Sequence, residues 1–352
     1  MNLFAKISWK LLIAVVLLNL FCPFICGTDD GPEAFSKFFT IQKKGLIDES
    51  AYQIKNIKDM EINRFSEIYI LDQAQNIVRF DRDGKNLITI AKPGNGPGEL
   101  GSVSSFDIDS KNNIVFLDAN KFALQVLNKE GKFIKQYRLT NYPDEIYLGS
   151  NDEMYIGFRT EKGGCKLARF FGEGKPYKCF MKESGKGKIR QGLFFESLIA
   201  AVDEKGNLYA ADSMEYKIYV YDPSGKKINE FGEPGKSYEP YSPPPSMDAG
   251  NARLKTWAET RCILLNMFII NKRFIGVIWR KSMLGIPKNI FMDIYTLDGR
   301  KVAMTGLPDN LPPMAADDKG GLYFVKNEIS NDGVDVKTLY YRYITAVGSP
   351  IR

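Results

Sequence analysis

The chain contains no histidine among its 352 residues. Histidine is the usual general acid/base near neutral pH and the commonest metal ligand. Its absence excludes Ser-His-Asp and Cys-His catalysis, and with them His-ligated zinc, haem and two-His iron centres. Carboxylate, Lys, Tyr or Ser-Lys chemistry stays open, as does oxygen-ligated Ca²⁺ or Mg²⁺. A concentrated basic stripe is also lacking. Lys and Arg number 48 against 42 Asp and Glu, and the weak excess is spread along the chain, which argues against a nucleic-acid partner. The densest basic run, Lys182, Lys186, Lys188 and Arg190, sits in a Gly-containing loop and reads as solvated surface. With 31 Gly, 17 Pro and 26% charged residues, the chain is not collagen-like, coiled-coil or wholly disordered.

The one long apolar run is at the start. Lys6 and Lys10 precede LLIAVVLLNLFCPFIC at 11–26, and Gly27, Thr28 and two aspartates follow. A basic start, an apolar centre and a small-residue exit form a signal-peptide pattern over residues 1–27. The run is short for a bilayer span, and Asn19 and Pro23 interrupt it. A membrane association is therefore expected only if this segment is retained. Cleavage removes two lysines and no acid, leaving a net charge of about +4. The expected location is extracytoplasmic: periplasmic, cell-surface or secreted.

Cys165, Cys179 and Cys262 lie beyond this segment, where an exported chain can keep disulfides. Residues 165–179, CKLARFFGEGKPYKC, read as two strands about a turn at 172–174. The spacing places Cys165 and Cys179 opposite each other as a candidate disulfide, with Cys262 free and buried.

A repeat organises the remainder. INRFSEIYILDQAQNIVRFDRDGK at 62–85, IDSKNNIVFLDANKFALQVLNKEGK at 108–132 and VDEKGNLYAADSMEYKIYVYDPSGK at 202–226 align on Asp72, Asp118 and Asp212. Turn glycines Gly84, Gly131 and Gly225 follow at near-constant spacing. A degenerate copy at 152–175 has Phe158 in the aspartate column. Weaker copies run over 271–301 and 317–344, the last with Lys326 in that column. Each unit holds short apolar or alternating strands separated by Gly, Asp and Asn turns, a hairpin signature. Four strands per unit and six units predict an all-β, six-bladed propeller over residues 28–352 as a single domain. An N-terminal strand near Phe38-Phe39-Thr40-Ile41 is expected to close the ring.

Residues 199–235, IAAVDEKGNLYAADSMEYKIYVYDPSGKKINEFGEPG, resemble an NHL repeat. The run Gly94-Asn95-Gly96-Pro97-Gly98-Glu99-Leu100 is similar to the inter-blade loop of bacterial six-bladed propellers related to NHL-repeat proteins. The resemblance implies a six-bladed propeller with a central channel. It implies little about chemistry, because such propellers host sensors, adhesion modules, lyases and lactonases. The lyase branch depends on histidine ligands, which this chain lacks.

The glycines at 94–98 have phosphate-loop-like spacing, but Pro97 removes one N–H and no helix pattern follows, so an inter-blade turn is expected. Asp72, Asp118 and Asp212 form a column at strand ends, a position suited to accepting N–H groups of the following turn. The repeat is broken at 236–262 by an inserted loop with one short helical pattern at 251–261. There Tyr238, Tyr241 and Trp257 form a candidate ligand-contact surface, stiffened by the prolines at 243–245; the alternative is that Trp257 tucks into its neighbour. Scattered acids Asp203, Asp222, Asp248, Asp293 and Asp298 offer no ligand spacing. The reading that results is a monomeric, non-enzymatic binding or scaffold propeller for a protein, peptide or glycan, with no cofactor. The alternative is a Ca²⁺-dependent hydrolase or lactonase with a carboxylate-lined channel.

Overall fold

The computed structural model describes residues 34–47, 54, 56–85, 87–159, 164–172, 177–182, 198–233, 235, 238–240, 242, 251–282, 289–329, 336–346 and 351. The segment 1–27, read from the sequence as a signal peptide, and Tyr241 lie outside them. Strand β1 (Phe39–Leu46) comes first and belongs to the last blade. Blade 1 is β2 (Ile57–Ile62), β3 (Ile68–Asp72), β4 (Ile77–Phe80) and β5 (Ile88–Ala91). Blade 2 is β6 (Val103–Ile108), β7 (Ile114–Asp118), β8 (Ala123–Leu127) and β9 (Phe133–Arg138). Blade 3 is β10 (Tyr142–Leu148), β11 (Met154–Arg159), β12 (Cys165–Phe170) and β13 (Lys178–Lys182). Blade 4 is β14 (Leu198–Val202), β15 (Leu208–Asp212), β16 (Ile218–Tyr221) and β17 (Lys227–Phe231). Helix α1 (Asn251–Thr260) precedes blade 5, which is β18 (Cys262–Ile270), β19 (Phe274–Lys281), β20 (Ile290–Thr296) and β21 (Lys301–Gly306). Blade 6 is β22 (Ala315–Ala316), β23 (Leu322–Ile329) and β24 (Val336–Thr345), with β1 as its outer strand. The six sheets are antiparallel four-stranded units, and the chain is a six-bladed β-propeller.

Why these segments form blades follows from which faces are covered. The second strand of a blade is sandwiched between neighbouring blades, so both faces are apolar: Ile68–Asp72 and Ile114–Asp118 are buried at every position. The fourth strand is outermost and tolerates polar residues; Phe133–Arg138 is mostly exposed. Six apolar clusters fill the six inter-blade interfaces. Tyr69, Leu71 and Ile77 of blade 1, for instance, pack with Phe106, Ile114 and Phe116 of blade 2. At the seam, Ile47, Met60 and Ile70 pack with Tyr323 and Tyr340. The ring closes when β1 pairs with β24, Phe39 opposite Thr345 and Ile41 opposite Tyr343.

Turns are held by short side chains. Asn63, Asp109, Asp203 and Asp317 each begin the turn from first to second strand, and each Oδ1 accepts N–H groups two and four residues on. Asp81 and Asn128 do the same between third and fourth strands. Gly131 completes one of these turns at φ +83°, and a Cβ there would lie 2.1 Å from the Ile90 carbonyl oxygen. Both facts demand glycine.

Candidate functional site: the central channel

The first strands of the blades surround a cavity of 560 Å³. A β-bulge interrupts four of them at the same place, just before Asp59, Ser105, Glu145 and Asn266. Bulges re-aim the side chains that follow. Past the bulge, Asp59 and Glu61 come from blade 1, Ser105 and Asp107 from blade 2, and Glu145 and Tyr147 from blade 3. The matching strands of blades 4 to 6 contribute Ile199, Ala201, Phe268, Met314 and Ala316, with Asn266 as their polar member. Along the inner strands one half of the wall is therefore acidic and the other apolar, while Asp203, Glu204, Asp317 and Asp318 line the turns of blades 4 and 6.

Part of this acidity has a structural cause. The inner edge of each sheet carries N–H groups that no further strand pairs. Asp59 Oδ2 accepts from Phe106 N (3.2 Å), Ser105 Oγ from Ile146 N (3.3 Å) and Asp107 Oδ2 from Leu148 N (2.7 Å). Side chains of one blade thus cap the inner strand of the next. Glu61 differs, since it has no hydrogen-bond or ion-pair partner among the described residues.

The crowding shows in the proton affinities. Burial pushes Asp59 and Asp107 up to about 7, against the opposing pull of the N–H groups they accept. Burial, then Asp107, Asp59 and Glu145, holds Glu61 well above the usual carboxylate range. Burial, then Asp59 and Asp144, does the same for Glu145. Tyr147 is raised by burial and by Glu145. Lys58, behind this group, is lowered by burial although Asp59 and Glu145 oppose it. Among the described lining residues there are ten carboxylates and two cations, Arg64 and Lys272, in a chain whose net charge is +6. Lys272 is already paired with Glu204.

The carboxylates surround the channel without converging. Among the described residues no three Asp, Glu or Cys side chains are close enough to hold one metal ion.

Of the residues singled out in the sequence, Asp203 lines the channel and the others with a described position lie elsewhere. Asp118 accepts from Gly101 N (2.8 Å), Ser102 N (3.1 Å) and Lys121 N (3.2 Å), and so ties the 94–102 loop to β7. Asp72 accepts from Asn76 N at 2.9 Å. Asp212 accepts from Met214 N at 2.9 Å and pairs with the buried Lys166. The glycine-rich loop has no free cradle: Gly96 N donates to Glu99 Oε2 (2.7 Å) and Gly98 N to Gln125 Oε1 (3.0 Å). Cys165 and Cys179 are joined by a disulfide with Cα atoms 5.7 Å apart, and Cys262 is free and buried. The two are not directly opposite, as the spacing suggested. Cys165 faces Lys182 and Cys179 faces Ala168, so the strands pair three residues away from the register that the spacing suggested.

The aromatic contact surface is a correction. Tyr238 is 4% exposed and Trp257 7%. Tyr238 packs on Tyr216 and Trp279, and its hydroxyl donates to the Cys262 carbonyl. Trp257, on α1, packs with Met214 and Ala258 and donates to Ser242 O (3.0 Å). Tyr238 and Trp257 are turned inward because burying an aromatic face is worth more than displaying it. Of the scattered acids, Asp203 holds a turn and Asp293 is buried with Trp279 and Lys301. The channel acids went unnoticed because they precede the repeat's recognisable core. Their available signal was an alternate-residue acid pattern ahead of the turn: Asp59-x-Glu61 before Asn63, and Asp107 before Asp109.

Fold and channel place the chain in the class of six-bladed β-propellers. A family profile described as a 6-bladed beta-propeller, DUF5128, matches residues 33–169. No curated protein matches in sequence. Among solved structures, a DUF4221 family member from Bacteroides vulgatus ATCC 8482 superposes with a TM-score of 0.66 at 13% identity, over 88% of this chain and 98% of that one. A Bacteroides fragilis NCTC 9343 protein that carries an exported-protein name gives 0.63 at 15% identity, over 90% and 98%. A catalytically inactive virginiamycin B lyase from Staphylococcus aureus, with quinupristin, gives 0.51 at 16% identity, over 88% and 90%. These likenesses are of fold. No helix among the described residues is long and apolar enough to cross a membrane.

Proposed function

We propose that the protein is an exported, non-enzymatic binding propeller whose protein, peptide or glycan ligand is recognised at the mouth of the central channel. The observation that carries this reading is the 560 Å³ cavity, whose inner strands are acidic in blades 1 to 3 and apolar in blades 4 to 6. It is open, concave and chemically uneven, as ligand sites are. Its carboxylates are spread around the wall: Asp59 and Asp107 cap the inner strand of the next blade, and Glu61 has no partner among the described residues. Export is supported by the basic–apolar–small order of residues 1–27.

A thermal-shift screen of peptides and glycans tests the proposal, run in parallel on the wild type and on Ala201→Trp, which fills the channel. Ligands that raise Tm in the wild type and not in the variant support it. Ligands that act equally on both place recognition elsewhere and defeat it. One observation favours a second reading as an enzyme: Asp59 and Asp107, with proton affinities near 7, are suited to general acid/base work. Turnover of ester or lactone substrates that Asp107→Asn abolishes would replace binding with hydrolysis.

A further inference from the structure

We infer that the group seated in the channel is an organic ammonium carried on an apolar body, held between the carboxylates of blades 1 to 3 and the apolar wall of blades 4 to 6. The inference rests on the channel being the ligand site and goes on to name the chemistry it takes.

Three observations carry it. The first is the division of the wall. The inner strands of blades 4, 5 and 6 read LIAAV, CILLNMFII and AA, with no carboxylate in any of them. Those of blades 1 to 3 supply Asp59, Glu61, Asp107 and Glu145. A ligand that is charged throughout would leave Ile199, Ala201 and Phe268 against polar groups. A wholly apolar one would leave the acids without a counter-charge. A cation at one end of an apolar body satisfies both halves.

The second is Glu61. Asp59 and Asp107 accept backbone N–H groups, and Ser105 lies beside Glu145. Glu61 alone of the four has no partner among the described residues, and its neighbours Asp107, Asp59 and Glu145 share its sign. Lys58 is turned to the Val103 carbonyl, Lys272 to Glu204 and Arg64 to the Phe65 ring, so none of these three cations pairs with Glu61. An unpaired acceptor in a crowded, partly desolvated wall is where a donor from outside gains most.

The third is the spacing. No three acidic side chains converge on one point among the described residues. A bare metal ion needs several oxygens at short, shared distance. An ammonium presents its donors in several directions and tolerates acceptors that are spread apart. The excess of lining carboxylates in a net-basic protein also gives the channel a field opposite to the rest of the surface, which draws cations to it.

The test is isothermal titration calorimetry of the full chain at pH 8 with hexylamine, its uncharged isostere 1-hexanol, the peptide Gly-Lys-Gly and CaCl₂. Saturable binding of hexylamine is expected. Hexanol should bind at least about tenfold more weakly, and Glu61→Gln should weaken hexylamine by a similar factor. Gly-Lys-Gly binding that competes with hexylamine would also support the proposal and identify a lysyl side chain as the source of the ammonium. Equal binding of hexanol and hexylamine overturns it, as does hexylamine binding that Glu61→Gln leaves untouched. Ca²⁺ binding without hexylamine binding overturns it in favour of an inorganic ion. Circular dichroism of Glu61→Gln excludes loss of fold as the cause of weaker binding. If hexylamine fails while screened ligands still lose their effect in Ala201→Trp, only the ammonium assignment falls. If both fail, the channel is not the site.

Discussion

Asp118 and Glu61 are both strand carboxylates, yet their surroundings give them opposite effects on stability. Asp118 is wholly buried and accepts three backbone N–H groups, with Lys121 Nζ at 3.4 Å. Asp118→Ala should cost about 2–4 kcal/mol in urea denaturation, because three buried donors lose their acceptor; a change near zero would refute the anchoring role. Glu61 has nothing to lose. Its folded proton affinity is raised, so above the unfolded carboxylate range the folded chain holds a proton that the unfolded chain releases. The same holds for Asp59 and Asp107 between about 4 and about 7. Stability contributed this way is complete at low pH and is lost as pH rises through the folded values. Glu61→Gln should therefore raise Tm at pH 8 by a few degrees, roughly 1 kcal/mol, and leave Tm at pH 5 nearly unchanged. An equal shift at both values would mean that ionisation is not the cause.

At the scale of elements, register decides what spacing only suggests. The cysteines of blade 3 are symmetric in sequence about residue 172, but β12 and β13 pair with Cys165 opposite Lys182 and Cys179 opposite Ala168, which sets the two diagonally. The bridge closes a separation of 14 residues. The double variant Cys165→Ala/Cys179→Ala should lose about 3 kcal/mol when unfolding is followed without reductant. Strand β1 carries a similar constraint. A Cβ at Gly45 would lie 2.2–2.5 Å from the Tyr340 ring, so Gly45→Ala has to push the closing strand off β24. We expect a loss of about 1–3 kcal/mol in the same assay. Retained stability would place β1 further from Tyr340 than its pairing indicates.

The whole molecule depends on joining its two ends. β22 to β24 come from the end of the described chain and β1 from its beginning, and their four-stranded sheet fills the last place in the ring. Phe35 and Phe39, stacked 4.7 Å apart, anchor that strand against Phe324 and Tyr343. Deleting residues 1–47 removes this strand and bares the edge of β24. Light scattering should then report association or aggregation, since a long free edge pairs with other chains. A folded monomer of the truncated chain would contradict the closure argument.

The amino-acid sequence by itself determined the architecture. Apolar runs such as IYILD and IVFLD can only be strands covered on both faces, and the Asp-x-x-Gly turns repeat at a spacing that fits four strands per blade. The absence of histidine likewise fixed which chemistries are closed, because no fold can supply a missing side chain. The turn glycines and the closing strand were legible for the same local reasons. Only the tertiary structure decided the channel and the insertion. Asp59, Glu61, Asp107 and Glu145 lie on three strands far apart in the chain, and their common wall exists only once the blades are radial. Tyr238 and Trp257 have the composition of a contact surface, and only packing against Trp279 and Met214 turns them inward. Local pattern fixes what a segment becomes; which distant segments share one cavity, and one field, is a property of the closed ring.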